Sequence, residues 1–294
     1  MQKITPHLWF DQEAIEAANF YVSTFPNSKV KSTTSLRNTP SGSVDIVTFE
    51  LSGLEFQAIS AGPYFKFNPS ISFFINCDSK EEVDSLWEKL SPGGQVLMEL
   101  GEYPFSERYA WVQDKYGLSW QIIYSKEMGS TQKIMPSMLF VGDVCGRAEE
   151  AINFWISVFH QGKVNTVQRY GQGEEPDQPG AVKYASFSLF GQDFGAMDSA
   201  YDHRFMFNEA ISFIVNCDTQ AEIDDYWQKL SAEPEAEQCG WLKDKFGVSW
   251  QIVPKGMDEM LQGDDREKID RVTQAFLVMK KIDLGKLQEV FAGK

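Results

Sequence analysis

Three histidines, four cysteines and a recurring Ser-Trp-Gln triplet bound the chemistry available to this 294-residue chain. A two-histidine, one-carboxylate iron site needs two imidazoles together, and His7, His160 and His203 are scattered. His160 ends a helical stripe and reads as an exposed C-terminal cap. The histidines show no recognisable Ser/His/Asp order, and the chain has no Gly-x-Ser-x-Gly elbow. Cys77, Cys145, Cys217 and Cys239 form no Cys-x-x-Cys pair, and read as buried, reduced thiols of a cytoplasmic protein. A cofactor-binding glycine loop should follow a strand and open a helix. The nearest match, Gly171-Gln172-Gly173, runs into Glu174-Glu175-Pro176 and Pro179-Gly180, the composition of a solvated hairpin loop. The alternating β/α pattern of nucleotide-binding folds is missing too, so methyl transfer is not expected.

The triplet belongs to a longer stretch that occurs twice. Asp114-Lys115-Tyr116-Gly117-Leu118-Ser119-Trp120-Gln121-Ile122 recurs as Asp244-Lys245-Phe246-Gly247-Val248-Ser249-Trp250-Gln251-Ile252. Each copy is a polar turn closed by glycine, then a strand-like run that glutamine interrupts. Stepping back from these anchors aligns the rest. Phe67 to Leu90 matches Phe207 to Leu230 at 13 of 24 positions, and Trp111 to Ile122 matches Trp241 to Ile252 at 8 of 12. Ile4 to Phe10 corresponds more loosely to Ile134 to Phe140. The chain divides into repeats at 1–130 and 131–255, with a tail over 256–294.

Within the first repeat, His7–Phe10 reads as a strand, and Ile15, Ala18, Val22 and Phe25 as a helical stripe. Strands follow over Val44–Leu51 and Glu55–Ser60, with Ser52-Gly53 turning the chain. The order then recurs: a buried strand over Ile71–Cys77, then a helix opened by Ser79-Lys80-Glu81-Glu82, a capping box copied as Thr219-Gln220-Ala221-Glu222. Strands around 95–100, 108–113 and 119–124 complete two βαβββ units per repeat, four in all. In the tail, Asp264-Asp265 can cap a helix whose stripe is Ile269, Val272, Phe276 and Met279. Leu284, Leu287 and Phe291 suggest a second short helix, and such a stripe is expected to dock on its own protein.

Composition narrows the partners. Hydrophobic content of 43% with 14% aromatics fits packed domains. Twenty-seven basic against 42 acidic residues, a formal charge of −15, disfavour nucleic acid and anionic membranes. No apolar run approaches the ~20 residues of a membrane span, and Met1–Pro6 has no signal-peptide character.

The residues Thr5-Pro6-His7-Leu8-Trp9-Phe10, Asn19-Phe20-Tyr21, Ile71-Ser72-Phe73 to Cys77-Asp78 and both anchors resemble the PhnB-like branch of the vicinal oxygen chelate superfamily. That superfamily is the glyoxalase/bleomycin-resistance/dioxygenase group, and this branch often carries a 3-demethylubiquinone-9 3-methyltransferase label. The resemblance implies an α+β fold of tandem domains, each two βαβββ units forming a cupped mixed sheet, plus the helical tail. Metal enzymes of the superfamily place ligands on four strands. Carried over, the first repeat offers His7, Ser60, Ser72 and Gln121, and the second Ser137, a position near Asp198, Ser212 and Gln251. Neutral hydroxyls and amides bind divalent transition metals poorly beside imidazole and carboxylate. No metal or other cofactor is therefore expected.

Inside such a cup, His7, Trp9, Ser72 and Gln121 could orient a polar ligand, and Ser212, Gln251 and Asp198 could do so in the second copy. The alternative is a mutually satisfied polar cluster. Of the recurring tryptophans Trp87/Trp227, Trp111/Trp241 and Trp120/Trp250, Trp111 and Trp241 stand on late strands that could wall the cups. The expectation is a small-molecule-binding protein with two largely metal-free cups, monomeric rather than dimeric. The alternatives are a metal-assisted lyase, isomerase or dioxygenase using His7, and a structural protein whose cups are filled by side chains.

Overall fold

Alternation along β1 (Ile4–Phe10) puts Ile4, Leu8 and Phe10 into the main core and Thr5, His7 and Trp9 on the opposite face. The computed structural model describes residues 2–124, 132–263 and 265–293; the junction at residue 130 and Asp264 lie outside them. The first repeat continues through α1 (Ala14–Thr24), β2 (Lys29–Thr39), β3 (Gly42–Leu51), β4 (Leu54–Ser60), β5 (Ile71–Cys77), α2 (Lys80–Leu90), β6 (Gln95–Tyr103), β7 (Ser106–Gln113) and β8 (Ser119–Tyr124). The second holds β9 (Ile134–Phe140), α3 (Ala148–Phe159), β10 (Gly162–Arg169), β11 (Val182–Leu189), β12 (Gln192–Asp198), β13 (Ile211–Cys217), α4 (Gln220–Leu230), β14 (Trp241–Lys243) and β15 (Ser249–Pro254). The tail forms α5 (Met257–Met260), α6 (Arg266–Leu277) and α7 (Leu284–Phe291). Among the described residues no helix is long and apolar enough to cross a membrane.

The strands form two mixed sheets, one of seven strands ordered β14-β15-β13-β1-β4-β3-β2 and one of eight ordered β10-β11-β12-β9-β5-β8-β7-β6. Each sheet joins one unit from each repeat. His7 on β1 therefore lies opposite Ser212 on β13, and Ser72 on β5 opposite Ser137 on β9. This corrects the grouping of His7 with Ser72 and Gln121. The junction is reciprocal, as in a two-fold interface. Asn68 Nδ2 donates to Met206 O and Asn208 Nδ2 to Lys66 O, each at 2.9 Å. Lys3 pairs with Glu222, and Lys133 with Glu82.

Helices α2 and α4 begin as their sequences predict: Ser79 Oγ and Thr219 Oγ1 each accept the amide three residues on, at 3.2 Å. Helix α1 differs in detail. Its buried face is Ala14, Ala17, Ala18 and Tyr21, while Ile15 and Val22 only border the core. Tyr21 turns inward because its hydroxyl donates to Asp114 Oδ2 at 2.8 Å.

The fourth unit also differs. The chain between α4 and β15 is shorter than that between α2 and β8, and no counterpart of β6 forms there. The tail takes its place. Cys239 N donates to Met279 O at 2.7 Å and Gly240 N to Lys280 O at 2.8 Å, so tail backbone completes the edge. Ile269, Val272, Phe276, Ile282 and Leu287 bury against Leu36, Val44, Ile214 and Val253 of the seven-stranded sheet. Asp265 and Asp283 cap α6 and α7.

Candidate functional site

The two concave faces have diverged. On the eight-stranded sheet, Phe74, Tyr109, Ile123 and Met135 form a packed cluster, joined by Met98, Tyr103, Trp111, Tyr184 and Met197. Tyr109 hydroxyl donates to Gln121 Oε1 and Gln121 Nε2 to Ser72 Oγ, both at 2.6 Å. Trp111 Nε1 donates to Ser119 Oγ at 2.8 Å. Ser72, Trp111 and Gln121 are thus committed to one another and to neighbouring side chains. On β12, Gly195 stands beside Ser137, and a Cβ there would meet Ser137 Oγ at 2.8 Å.

The seven-stranded sheet instead encloses a cavity of about 470 Å³. Its floor is the outward-alternating set from β1, β4, β13 and β15: His7, Trp9, Gln57, Ile59, Ile214, Gln251 and Val253. Its roof is the tail, through Met257, Asp258, Leu261, Phe276 and Leu277. The loss of a β6 counterpart removes the hairpin that fills the other cup and leaves room for this cavity.

The equivalent groups are less committed here. Gln251 Nε2 donates to Ser212 Oγ at 2.9 Å, but Cys239 occupies the position of Tyr109, so Gln251 Oε1 accepts no bond among the described residues. Among the described residues Trp241 does not repeat the bond of Trp111, and Ser249 Oγ is buried without a partner. The Trp241 ring instead packs edge-on against His7, centroids 5.4 Å apart, and against Trp9 at 6.1 Å. Trp9 also meets Phe65 at 5.0 Å, and its Nε1 donates to Gly62 O at 2.8 Å.

His7 is 3% exposed, and its side chain forms no hydrogen bond among the described residues; Nδ1 is fully enclosed. Burial pushes its pKa down to about 3, so the ring is neutral at ordinary pH. Gln57, beside His7 on β4, was not singled out from sequence. Only the strand register reveals it, since it aligns with His7 rather than with Ser60. Its Nε2 donates to both carboxylate oxygens of Asp258 at 3.1 Å. Asp258 keeps accessible surface although its carboxylate is densely surrounded, as a group at a cavity wall can. Burial, the larger influence, raises its pKa, and the Gln57 bonds lower it.

Asp198 does not reach the cavity. Its Oδ1 accepts from Gly146 N and Ala148 N, and its Oδ2 from Val182 N, at 2.8–3.1 Å. Ser60 does the same work in the first repeat, accepting from Ala14 N at 3.1 Å. Both residues fix the entry to the first helix of their repeat instead of presenting a ligand group. Gly171-Gln172-Gly173 lies in the β10–β11 hairpin loop, as its composition predicts.

The family model for 3-demethylubiquinone-9 3-methyltransferase matches residues 2–123 and again 132–253. The chain belongs to that family. It is similar to the PhnB protein of Bacillus cereus, with 40% identity over 42% of this chain and 100% of that one, at a TM-score of 0.40. It is also similar to glyoxalase I from Zea mays, with 12% identity over 84% of this chain and 92% of that one, at a TM-score of 0.51. A glyoxylase/bleomycin resistance protein/dioxygenase domain from Frankia sp. shares 15% identity over 43% of this chain and 92% of that one, at a TM-score of 0.31. No curated protein matches. The fold is thus shared with glyoxalase I, and the four-strand ligand pattern that the resemblance implies sets the standard for a fit. The donor set here does not meet it. His7, Gln57, Ser212 and Gln251 supply one imidazole, two amides and a hydroxyl, a poor match for a divalent transition metal. Among the described residues no group of three or more His, Cys, Asp or Glu could hold a metal.

Proposed function

We propose that the protein binds one small, largely apolar molecule in the cavity between the seven-stranded sheet and the tail. The observation that carries this is the contrast between the cups: the same positions are mutually satisfied in one and left open around 470 Å³ in the other. The volume is in the range of sites for drug-sized ligands, ~300–1,000 Å³. The eight-stranded cup is read as structural, which replaces two ligand sites with one.

The family description names a methyltransferase. The glycine loop that could suggest a cofactor cradle lies in a hairpin of the other sheet, away from the cavity. Binding without methyl transfer is the reading the cavity favours. The four free cysteines, with Cys77 and Cys217 buried and burial pushing both thiols up to about 12, favour a reducing, cytoplasmic setting.

The neutral fluorophore N-phenyl-1-naphthylamine is expected to bind with a stoichiometry of one per chain. Ile46→Trp, which places a large ring on the cavity wall, is expected to weaken it about tenfold or more, on the scale of 1.4 kcal/mol per decade. Two equivalents bound, or equal affinity in a folded Ile46→Trp variant, would count against the single-cavity reading. The units of the two repeats already pair reciprocally within one chain, so a monomer is expected in sedimentation equilibrium. A tight dimer would reverse that expectation.

A further inference from the structure

The charge pattern of the cavity narrows what can occupy it. Its charged lining residues are all carboxylates, Glu55, Glu209, Glu235 and Asp258, with no lysine or arginine among them. Two are neutralised from outside: Lys31 pairs with Glu55, and Lys243 with Glu209 at 2.8 Å. Glu235 is exposed at the rim. Asp258 has no cationic partner among the described residues and is held only by the neutral amide of Gln57.

An anionic ligand would find no lysine or arginine in the lining and the carboxylates of Glu235 and Asp258 to oppose it. A purely apolar ligand would leave the Asp258 carboxylate, exposed and held by Gln57 alone, without a counter-charge. A second and independent observation points the same way. His7 is buried, neutral and without a hydrogen bond among the described residues, beside Gln57 in the strand register. No hydrogen bond among the described residues holds the ring, whose neutral form carries one acceptor nitrogen and one N–H donor. Gln251 Oε1 is a further uncommitted acceptor. The Gln251 oxygen and one ring nitrogen of His7 can each accept from a ligand donor. The walls are aromatic, with Trp9 and Trp241 set edge to face at 6.1 Å, and such rings attract cations at their faces.

We infer that the cavity takes an organic monocation, a protonated amine on an aromatic or alicyclic body, with the ammonium directed at Asp258 and the body against Trp9 and Trp241. This rests on the reading that the cavity binds a small molecule. The sheet would then supply the apolar fit, and the tail, through Asp258, the charge preference.

Isothermal titration with 2-phenylethylamine, 2-phenylethanol and 3-phenylpropanoate tests it, in the wild type and in Asp258→Asn. Asparagine keeps an acceptor for Gln57 and removes the charge. The amine is expected to bind at least about tenfold more tightly than the alcohol, with the carboxylate weakest. In Asp258→Asn the amine's advantage should shrink to about threefold or less, with the alcohol's affinity little changed. N-phenyl-1-naphthylamine separates the two levels of failure. If it enters but the alcohol or carboxylate equals the amine, or the amine's advantage survives Asp258→Asn, the monocation inference falls and the cavity reading stands. If neither the dye nor any of the three compounds binds the folded wild type, both fall.

Discussion

Asp244→Ala is expected to destabilise the protein by about 4 kcal/mol or more, because four buried donors would lose their acceptor together. Asp244 is fully buried. Its Oδ2 accepts from Trp155 Nε1 at 2.8 Å and Trp250 Nε1 at 2.9 Å, and its Oδ1 from Phe246 N at 2.9 Å and Val248 N at 3.1 Å. The carboxylate therefore fastens the turn before β15 to helix α3 and to β15 itself. Burial pushes its pKa up and the four hydrogen bonds pull it down, which is the condition of a charge tolerated only because it is fully partnered. Asp114 is the copy, accepting from Trp120 Nε1, Tyr116 N, Leu118 N and the Tyr21 hydroxyl in place of an indole. Asp244→Asn keeps the shape but aims an NH2 at two donors, so a loss of about half that size is expected. Urea denaturation reads both variants. A loss under about 1 kcal/mol for Asp244→Ala would show that water replaces the carboxylate and that the turn is not fastened this way.

That result would also fix what the repeated stretch is for. Its glutamine stands at a position where the resemblance implies a ligand group, yet its aspartate carries the larger structural burden. Most strands, the capping boxes at Ser79 and Thr219, and the tail stripe through Ile269, Val272 and Phe276 were legible because local periodicity and hydroxyl spacing encode them; β2 and β10, largely exposed strands at the sheet edges, were not. Which unit pairs with which was not. Phe67–Leu90 and Phe207–Leu230 present near-identical edges, so pairing within or across repeats would bury the same residue types. The consequence reaches the site. His7, Ser212, Trp241 and Gln251 do come to one sheet, with Trp9, while Ser72, Trp111 and Gln121 go to the other. The difference between an open and a filled cup rests on Cys239 standing where Tyr109 stands and on a missing strand, and neither feature carries a periodic signal. Asp258 was invisible for a similar reason: it sits in a short helix outside both repeats, and only the folded tail brings it over Gln57.

His7 is the cavity's histidine among the described residues. An unfolded histidine titrates near 6.5, whereas burial lowers His7 to about 3 in the folded protein. Between those values the unfolded chain binds a proton at this position and the folded chain does not, so stability rises with pH across the window. It is fully present above about 6.5 and is lost as pH falls towards 3. At pH 5 the His7 contribution to that loss is about 2 kcal/mol. Other titratable groups add their own pH dependence. Asp114, Asp244 and Asp258 have raised pKa values and act in the opposite sense at acid pH, while His203, lowered by partial burial, acts in the same sense as His7. All four are common to wild type and to His7→Gln, which retains a polar side chain but cannot titrate. The difference between the two proteins isolates the ring. Urea midpoints at pH 7 and pH 5 should therefore fall further in the wild type than in His7→Gln, by about 2 kcal/mol when converted through a shared m-value. Equal losses would mean that the imidazole takes up its proton in the folded state, reaching solvent or a partner through the cavity, and the neutral acceptor on which ligand orientation depends would not exist.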